Sequence, residues 1–279
     1  GAARQVSFVT DNHWKNVATS KVERRTVKTF DGKDMNVWLV LPPDFDPKKK
    51  YPAIVYCQGG PQSALSQFFS YRWNLSLMAA QGYVVVAPCR RGMPGSGQAW
   101  NDAITGKWGD AMKDYLSATD AIAKEPFVDA GRMGAVGASF GGYAVYWLAG
   151  NHQKRFKTFI AHCGLFNLES FYGTTEEVWF PHYDFEGAYW QSPIPKMYQT
   201  DSPHRYVQNW DTPILVIHNE LDFRVPFSEG MQAFQAAQLK GIPSRLLTFP
   251  DEGHWMSKPQ NSLLWQHEFL GWLEKYLKG

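Results

Sequence analysis

Gly131-Arg132-Met133-Gly134-Ala135-Val136-Gly137-Ala138-Ser139-Phe140-Gly141-Gly142-Tyr143 is the stretch on which the fold turns. Residues 137–141 match G-x-S-x-G, a motif that sets a serine on a tight turn between a strand and a helix, with its Oγ above the sheet. Residues 133–138 form an apolar run of strand length, and 141–149 have the spacing of an amphipathic helix. Glycines two positions either side of Ser139 suit a turn too sharp to accept a Cβ there. Five residues match by chance often enough that the rest of the chain must decide what the serine does.

Outward from this centre, apolar runs alternate with helical spacing. Strands are predicted at 22–30 and 35–41, joined by an Asp31-Gly32 turn. Further strands are predicted at 53–57, 83–87, 156–162, 213–218 and 244–249, and helices at 71–81, 110–124, 227–239 and 262–277. Continuous apolar strands separated by helices predict a mostly parallel sheet covered on both faces. Residues 164–210 break the alternation, with Pro181, Pro193, Pro195 and Pro203 among many aromatics. They are expected to be an irregular, aromatic-rich insertion of the functional-loop kind. Residues 1–20 lack a clear period and read as a linker; 21–279 read as one α/β domain.

Composition narrows the function. With 28 Lys and Arg against 26 Asp and Glu, the formal charge is +2, and no electrostatic footprint for nucleic acid appears. No apolar run reaches the roughly 20 residues of a membrane span. Cys57, Cys89 and Cys163 are an odd set at strand ends, which reads as small buried hydrophobes rather than a disulfide framework. Nothing in the spacing calls for a metal or an organic cofactor.

A serine hydroxyl needs a base to take its proton and a carboxylate to orient that base. In a parallel α/β sheet such groups stand on loops at the carboxyl ends of strands. Two loops downstream of Ser139 qualify. One, residues 218–226, holds Glu220 and Asp222; the other, residues 250–254, holds His254. The order Ser139, Asp222, His254 is that of α/β-hydrolases. Glu220 competes with Asp222, and either carboxylate can instead cap a helix. His152, His162 and His218 lie in or beside predicted elements and read as structural. For the developing oxyanion, the donors expected are the Phe140 N–H and the Gly59 and Gly60 N–H groups, although residues 58–61 also fit a plain turn.

Gly59-Gly60-Pro61, Arg91-Gly92 with Gly95 and Gly97, Trp108-Gly109 with Asp114, residues 137–142, Asp222 with Val225-Pro226, and Gly253-His254 now stand together. With them the chain resembles the catalytic domain of the prolyl oligopeptidase family of serine peptidases, over residues 22–277. Residues 58–61 and 173–177 look most like bacterial dipeptidyl peptidases of the type-5 and type-IV group and acylaminoacyl peptidases. The resemblance implies an α/β-hydrolase fold and cleavage of short peptides after a small or apolar residue, without a cofactor. It implies an apolar pocket from Phe140, Cys163, Phe166, Tyr172 and Val225, with Arg224 facing the bound peptide or making a surface ion pair. It also implies an N-terminal β-propeller in the longer protein, with residues 1–20 as its last strand and linker, and a periplasmic or secreted location.

Some members of the family it resembles, the prolyl oligopeptidase and dipeptidyl peptidase IV types, have, where this chain has Gln58, a tyrosine whose hydroxyl helps hold the oxyanion. The Gln58 amide is a candidate donor in its place, with the Gly59 or Gly60 N–H the stronger candidate. Glu176 and Glu177 are candidates to hold a substrate ammonium, or simply a solvated pair. Phe166, Phe171, Tyr172, Trp179, Phe180, Tyr183, Tyr189 and Trp190 would line a cleft or pack a lid. A carboxylesterase with the same triad and a non-catalytic interaction module are the rival functions, and the sequence is compatible with an oligomer.

Overall fold

Strands that are apolar on both faces need cover on both, and the computed structural model, which describes residues 4–66 and 70–279, supplies it. Eight strands, β1 (Val22–Lys28), β2 (Asp34–Val40), β3 (Tyr51–Cys57), β4 (Val84–Pro88), β5 (Val128–Ala138), β6 (Thr158–His162), β7 (Ile214–Asn219) and β8 (Ser244–Phe249), form one sheet in the order β1-β2-β4-β3-β5-β6-β7-β8. The β1–β2 and β2–β4 pairs are antiparallel and the rest parallel. Period two divides each central strand between two cores. Ala53, Val55, Met133 and Ala135 enter one core, with Trp108, Tyr115 and Tyr143. Ile54, Tyr56, Val136 and Ala138 enter the other, with Trp73, Trp265 and Phe269. This is the α/β-hydrolase arrangement.

Register decides where the loops fall. Cys57 pairs with Gly137, Ala138 with His162, and Asn219 with Phe249, so the carboxyl ends of β3, β5, β6, β7 and β8 share one edge. Gln58, Ser139, Cys163, Glu220 and Pro250 are the first residues beyond it.

Several predicted elements change. The helix after Ser139 runs over Phe140–Asn151 and is not amphipathic, because residues 140–150 are all buried. It lies between the sheet and the Pro203–Asn209 helical turn, so neither face meets water. Its glycines permit that packing: a Cβ on Gly142 would sit 2.6 Å from the Gly164 Cα, and one on Gly150 2.5 Å from the Tyr206 Cβ. The 71–81 helix contracts to Leu75–Ala80, capped by the Asn74 side chain on the Leu77 N–H. Residues 164–210 are not irregular throughout; they contain the short helices Leu168–Thr174, Trp179–Asp184 and Lys196–Thr200 and the turn Pro203–Asn209. A turn of helix at Asp11–Trp14 precedes β1 and buries none of its residues.

Candidate active site

Ser139 has φ 60° and ψ −125°, a strained backbone for a residue with a side chain. The surroundings leave it no alternative. Its N–H donates to the His162 carbonyl at 3.0 Å, and its carbonyl accepts from Tyr143 N–H at 2.9 Å. A Cβ on Gly137 would lie 2.6 Å from the Cys57 carbonyl oxygen, and one on Gly141 would collide with that same oxygen. The elbow is thus pressed, backbone to backbone, against the end of β3.

The loop after β3 lies beside it. The guanidinium of Arg90, wholly buried, donates to the carbonyls of Pro61 and Arg91 at 2.9 Å and of Gln58 and Gly59 at 3.4 Å, and to the Tyr115 hydroxyl at 3.2 Å. Across a trans peptide the N–H points opposite the C=O. With the Gln58 and Gly59 carbonyls drawn to Arg90, the Gly59 and Gly60 N–H groups face away from it. Gly60 has φ +124°, which a side chain would oppose. The Gln58 amide is already committed: Oε1 accepts from Tyr56 Oη at 2.7 Å, and Nε2 donates to Ser63 Oγ at 3.1 Å. Arg90 also stacks on the Phe140 ring, with 4.2 Å between its central carbon and the ring centre. Sequence reasoning passed over Arg90, whose only signal was a cation in an otherwise apolar strand end.

Asp222 is buried, and its two oxygens divide the work. Oδ1 accepts the N–H groups of Arg224 at 3.0 Å and Val225 at 2.9 Å; Oδ2 accepts His254 Nδ1 at 2.7 Å. Burial pushes the carboxyl up, but the His254 hydrogen bond, the neighbouring His254 and His218 rings and, last, the Val225 N–H outweigh it and hold Asp222 below the usual carboxylate range. Nδ1 being engaged, Nε2 is the nitrogen of His254 left for chemistry. Glu220 is exposed on the same loop and makes no such contact. Glu252 braces the His254 loop from below, its carboxylate accepting Ser257 N–H at 3.0 Å, Lys258 N–H at 2.9 Å and the Ser257 hydroxyl at 2.6 Å.

The other histidines are structural in their contacts. His218 Nε2 pairs with the Val225 carbonyl at 2.8 Å, and His152 accepts the Phe156 N–H at 3.1 Å. Cys163, His218 and Asp222 cluster closely enough to suggest a metal site. The donor set does not fit one: Asp222 is committed to His254, and burial pushes the Cys163 thiol well up.

Ser139, Phe140, Gly59, Gly60, Val225, Arg224 and His254 all line one cavity of about 810 Å³. Its apolar wall comes from Leu165, Phe171, Phe180 and Trp108. Cys163, Phe166 and Tyr172 are not in the lining. Cys163 sits behind Asp222, Phe166 packs on Tyr146 and Trp210, and Tyr172 bonds His182 Nδ1 through its hydroxyl at 2.8 Å. On the Leu168–Thr174 helix, neighbours point about 100° apart, so Phe171 reaches the cavity and Tyr172 does not. Of the aromatic insertion, Trp179 and Phe180 also line it, while Tyr183 and Trp190 are exposed. Arg224 pairs with Glu177 at 2.9 Å and Glu176 at 3.6 Å and lies over the Trp255 ring.

The model of the prolyl oligopeptidase family matches residues 69–279. The chain belongs to that family. It is 56% identical to dipeptidyl-peptidase 5 of Porphyromonas gingivalis, over all of this chain and 41% of that protein. It is 49% identical to dipeptidyl-peptidase 5 of Porphyromonas endodontalis, with the same coverage. The chain therefore spans about two-fifths of the length of these relatives. Among solved structures, the acylaminoacyl peptidase of Pyrococcus horikoshii superposes with a TM-score of 0.87 at 25% identity, covering 99% of this chain and 45% of that one. Dipeptidyl peptidase 4 of P. gingivalis shares the fold with a TM-score of 0.81 at 23% identity, over 96% and 37%.

Proposed function

We propose that this prolyl oligopeptidase-family chain is the catalytic part of a serine peptidase that releases dipeptides or single aminoacyl units from short peptides, after a small or apolar residue. One observation carries the reading: Ser139, on its strained elbow, shares a cavity with His254, whose Nδ1 is locked to buried Asp222 at 2.7 Å. His254 Nε2 takes the Ser139 proton as Oγ attacks the scissile carbonyl. The oxyanion is met by N–H groups of Phe140 and of Gly59 or Gly60. Collapse breaks the C–N bond, and the proton held on His254 passes to the departing amine. Water, deprotonated by the same histidine, then cleaves the acyl-enzyme and regenerates Ser139. Asp222 keeps the imidazole oriented and stabilises its charged form.

The apolar wall of Phe140, Leu165, Phe171 and Val225 supports a small or apolar residue before the cut. The dipeptide product is carried over from the relatives' name. We further infer that the acids holding a substrate ammonium belong to the longer protein, as part of a propeller domain, because Glu176 and Glu177 are occupied by Arg224. Hydrolysis of dipeptidyl and aminoacyl nitroanilides tests the proposal. Ser139→Ala should lower turnover by about 10⁴-fold or more, and a variant that keeps wild-type turnover refutes it. Matched ester and amide substrates separate a peptidase from an esterase, which would leave the amide intact.

A further inference from the structure

The proposed oxyanion donors come from two separate pieces of chain, the loop after β3 and the start of the helix after Ser139. One buried side chain touches both. Arg90 follows β4, the neighbour of β3 in the sheet, and is wholly buried. Its guanidinium makes five hydrogen bonds, and every acceptor is a neutral oxygen: the Tyr115 hydroxyl for Nε, the Pro61 and Arg91 carbonyls for Nη1, and the Gln58 and Gly59 carbonyls for Nη2. Its central carbon lies 4.2 Å from the centre of the Phe140 ring.

The fork is itself held from behind. The Arg90 carbonyl accepts Trp100 Nε1–H at 3.0 Å, and the next residue, Arg91, is clamped to Asp114 through Nε and Nη2, each at 2.8 Å. Tyr115 belongs to the Trp108–Ile122 helix. A cation so placed fixes the direction of the peptides it grips. The Gln58 carbonyl shares a peptide plane with the Gly59 N–H, and the Gly59 carbonyl with the Gly60 N–H, each pair pointing in opposite directions. Gly59, Gly60 and Ser139 line the catalytic cavity and Arg90 does not, so the loop stands between the cation and the cavity. Gly59 abuts the nucleophile: a Cβ on it would lie 3.2 Å from the Ala138 carbonyl oxygen and 3.7 Å from the Ser139 Cβ. Packing alone does not call for a cation here, because an apolar side chain of similar volume avoids the desolvation cost of a buried guanidinium. What the cation adds is polarisation. A carbonyl bonded to a charged donor makes the N–H on the far side of its peptide a stronger donor.

We propose that Arg90 is a positioning residue for acyl transfer. Its guanidinium fixes and polarises the peptides that carry the Gly59 and Gly60 N–H groups and seats Phe140, so that donors from both pieces of chain meet the oxyanion together. It touches no substrate atom and acts through those peptides. The inference rests on the serine peptidase reading, whose own failure would look different, as nitroanilide turnover that survives Ser139→Ala.

The test uses the whole chain, a dipeptidyl nitroanilide and two inhibitors, a dipeptidyl trifluoromethyl ketone and the alcohol made by reducing it. Ser139 Oγ adds to the ketone carbon, its proton passes to His254 Nε2, and the carbonyl electron pair becomes an oxyanion. The alcohol fills the same space and forms none. In Arg90→Gln, kcat should fall by about 100-fold, the scale of losing one oxyanion donor, with KM within about threefold of the wild type. The preference for ketone over alcohol should fall by about 10-fold or more. Arg90→Lys keeps the charge but not the fork and should lie between the two. Each preference is a ratio within one variant, so a general loss of affinity or of folded protein does not move it. An unchanged preference in Arg90→Gln, wild-type behaviour in Arg90→Lys, or a loss confined to KM overturns the proposal, as does a wild type that binds ketone and alcohol alike. Should Arg90→Gln fail to fold, Tyr115→Phe, which removes the hydroxyl that holds Nε, takes its place. There the preference should fall by about threefold, the scale of one neutral hydrogen bond, and an unchanged preference overturns the assignment.

Discussion

The elbow and the 164–210 insertion border the same cavity but are held in opposite ways. Around Ser139, backbone presses on backbone: the Cys57 carbonyl abuts Gly137 and Gly141, and Gly142 lies against Gly164. In the insertion, short helices are joined by side chains. Trp108 Nε1 donates to Asp184 at 2.6 Å, and Glu229 Oε2 accepts the Phe166 and Asn167 N–H groups at 2.9 and 2.7 Å. Rings such as Tyr189 and Trp190 meet edge to face. Backbone contacts accept no substitution, whereas side-chain contacts can be exchanged piece by piece. The groups proposed to react stand on the first kind of structure, and much of the apolar wall of the cavity stands on the second.

The sharpest way to strain that contrast is Asp222→Asn. It keeps the shape but leaves His254 Nδ1 without its carboxylate, and kcat on a nitroanilide should fall by about 10⁴-fold with little change in the melting curve. Gly141→Ala drives a methyl into the Cys57 carbonyl and should cost about 3 kcal/mol or more in urea unfolding. A tolerated alanine would mean the elbow is looser than described.

Glu229 probes the insertion's anchor. Burial raises its carboxyl to about 7, above the ordinary 4.5, against the two backbone N–H bonds. A carboxyl raised on folding stabilises fully below about pH 4.5, and that stability is lost as the pH climbs towards 7. Glu229→Gln mimics the protonated acid. It should match the wild type at pH 4.5 and exceed it at pH 8 by on the order of 3 kcal/mol in denaturant titrations; parallel curves would contradict the anchor's titration. The smallest effect belongs to Gly173→Ala, exposed on the Leu168–Thr174 helix with nothing within 4 Å of the added methyl. It should be neutral or stabilise by up to about 1 kcal/mol. Set beside Gly141→Ala, it asks whether the same change has opposite signs in the two regions.

The same division explains what could be read from the chain. Strands β3 to β7 were legible as apolar runs because a sheet covered on both faces leaves few polar positions, β8 as a shorter run at the sheet edge, and the Asp31-Gly32 turn gave away the first hairpin. That Asp222 and His254 would stand together was legible because both follow strand ends that share one edge of the sheet. The helix after Ser139 was misread as amphipathic because Gly142 and Gly150 let neighbours approach on the side expected to face water. The insertion's helices, five to seven residues long, are too short to establish a period. Cys163, Phe166 and Tyr172 came from resemblance, which carries residue types forward but not the direction in which a short helix turns them. Arg90 was invisible for a further reason: a cation in a sequence looks the same whether water or the protein satisfies it.

The collision that awaits any Cβ on Gly141 has a further meaning. No side chain stands between the start of the nucleophile's helix and the end of β3, so nothing compressible separates Ser139 from the loop that offers the Gly59 and Gly60 N–H groups. When the sheet flexes, the hydroxyl and those donors move as one part. The spacing that catalysis depends on is therefore insulated from whatever shape the substrate imposes on the aromatic wall, and specificity is free to drift without the chemistry following it.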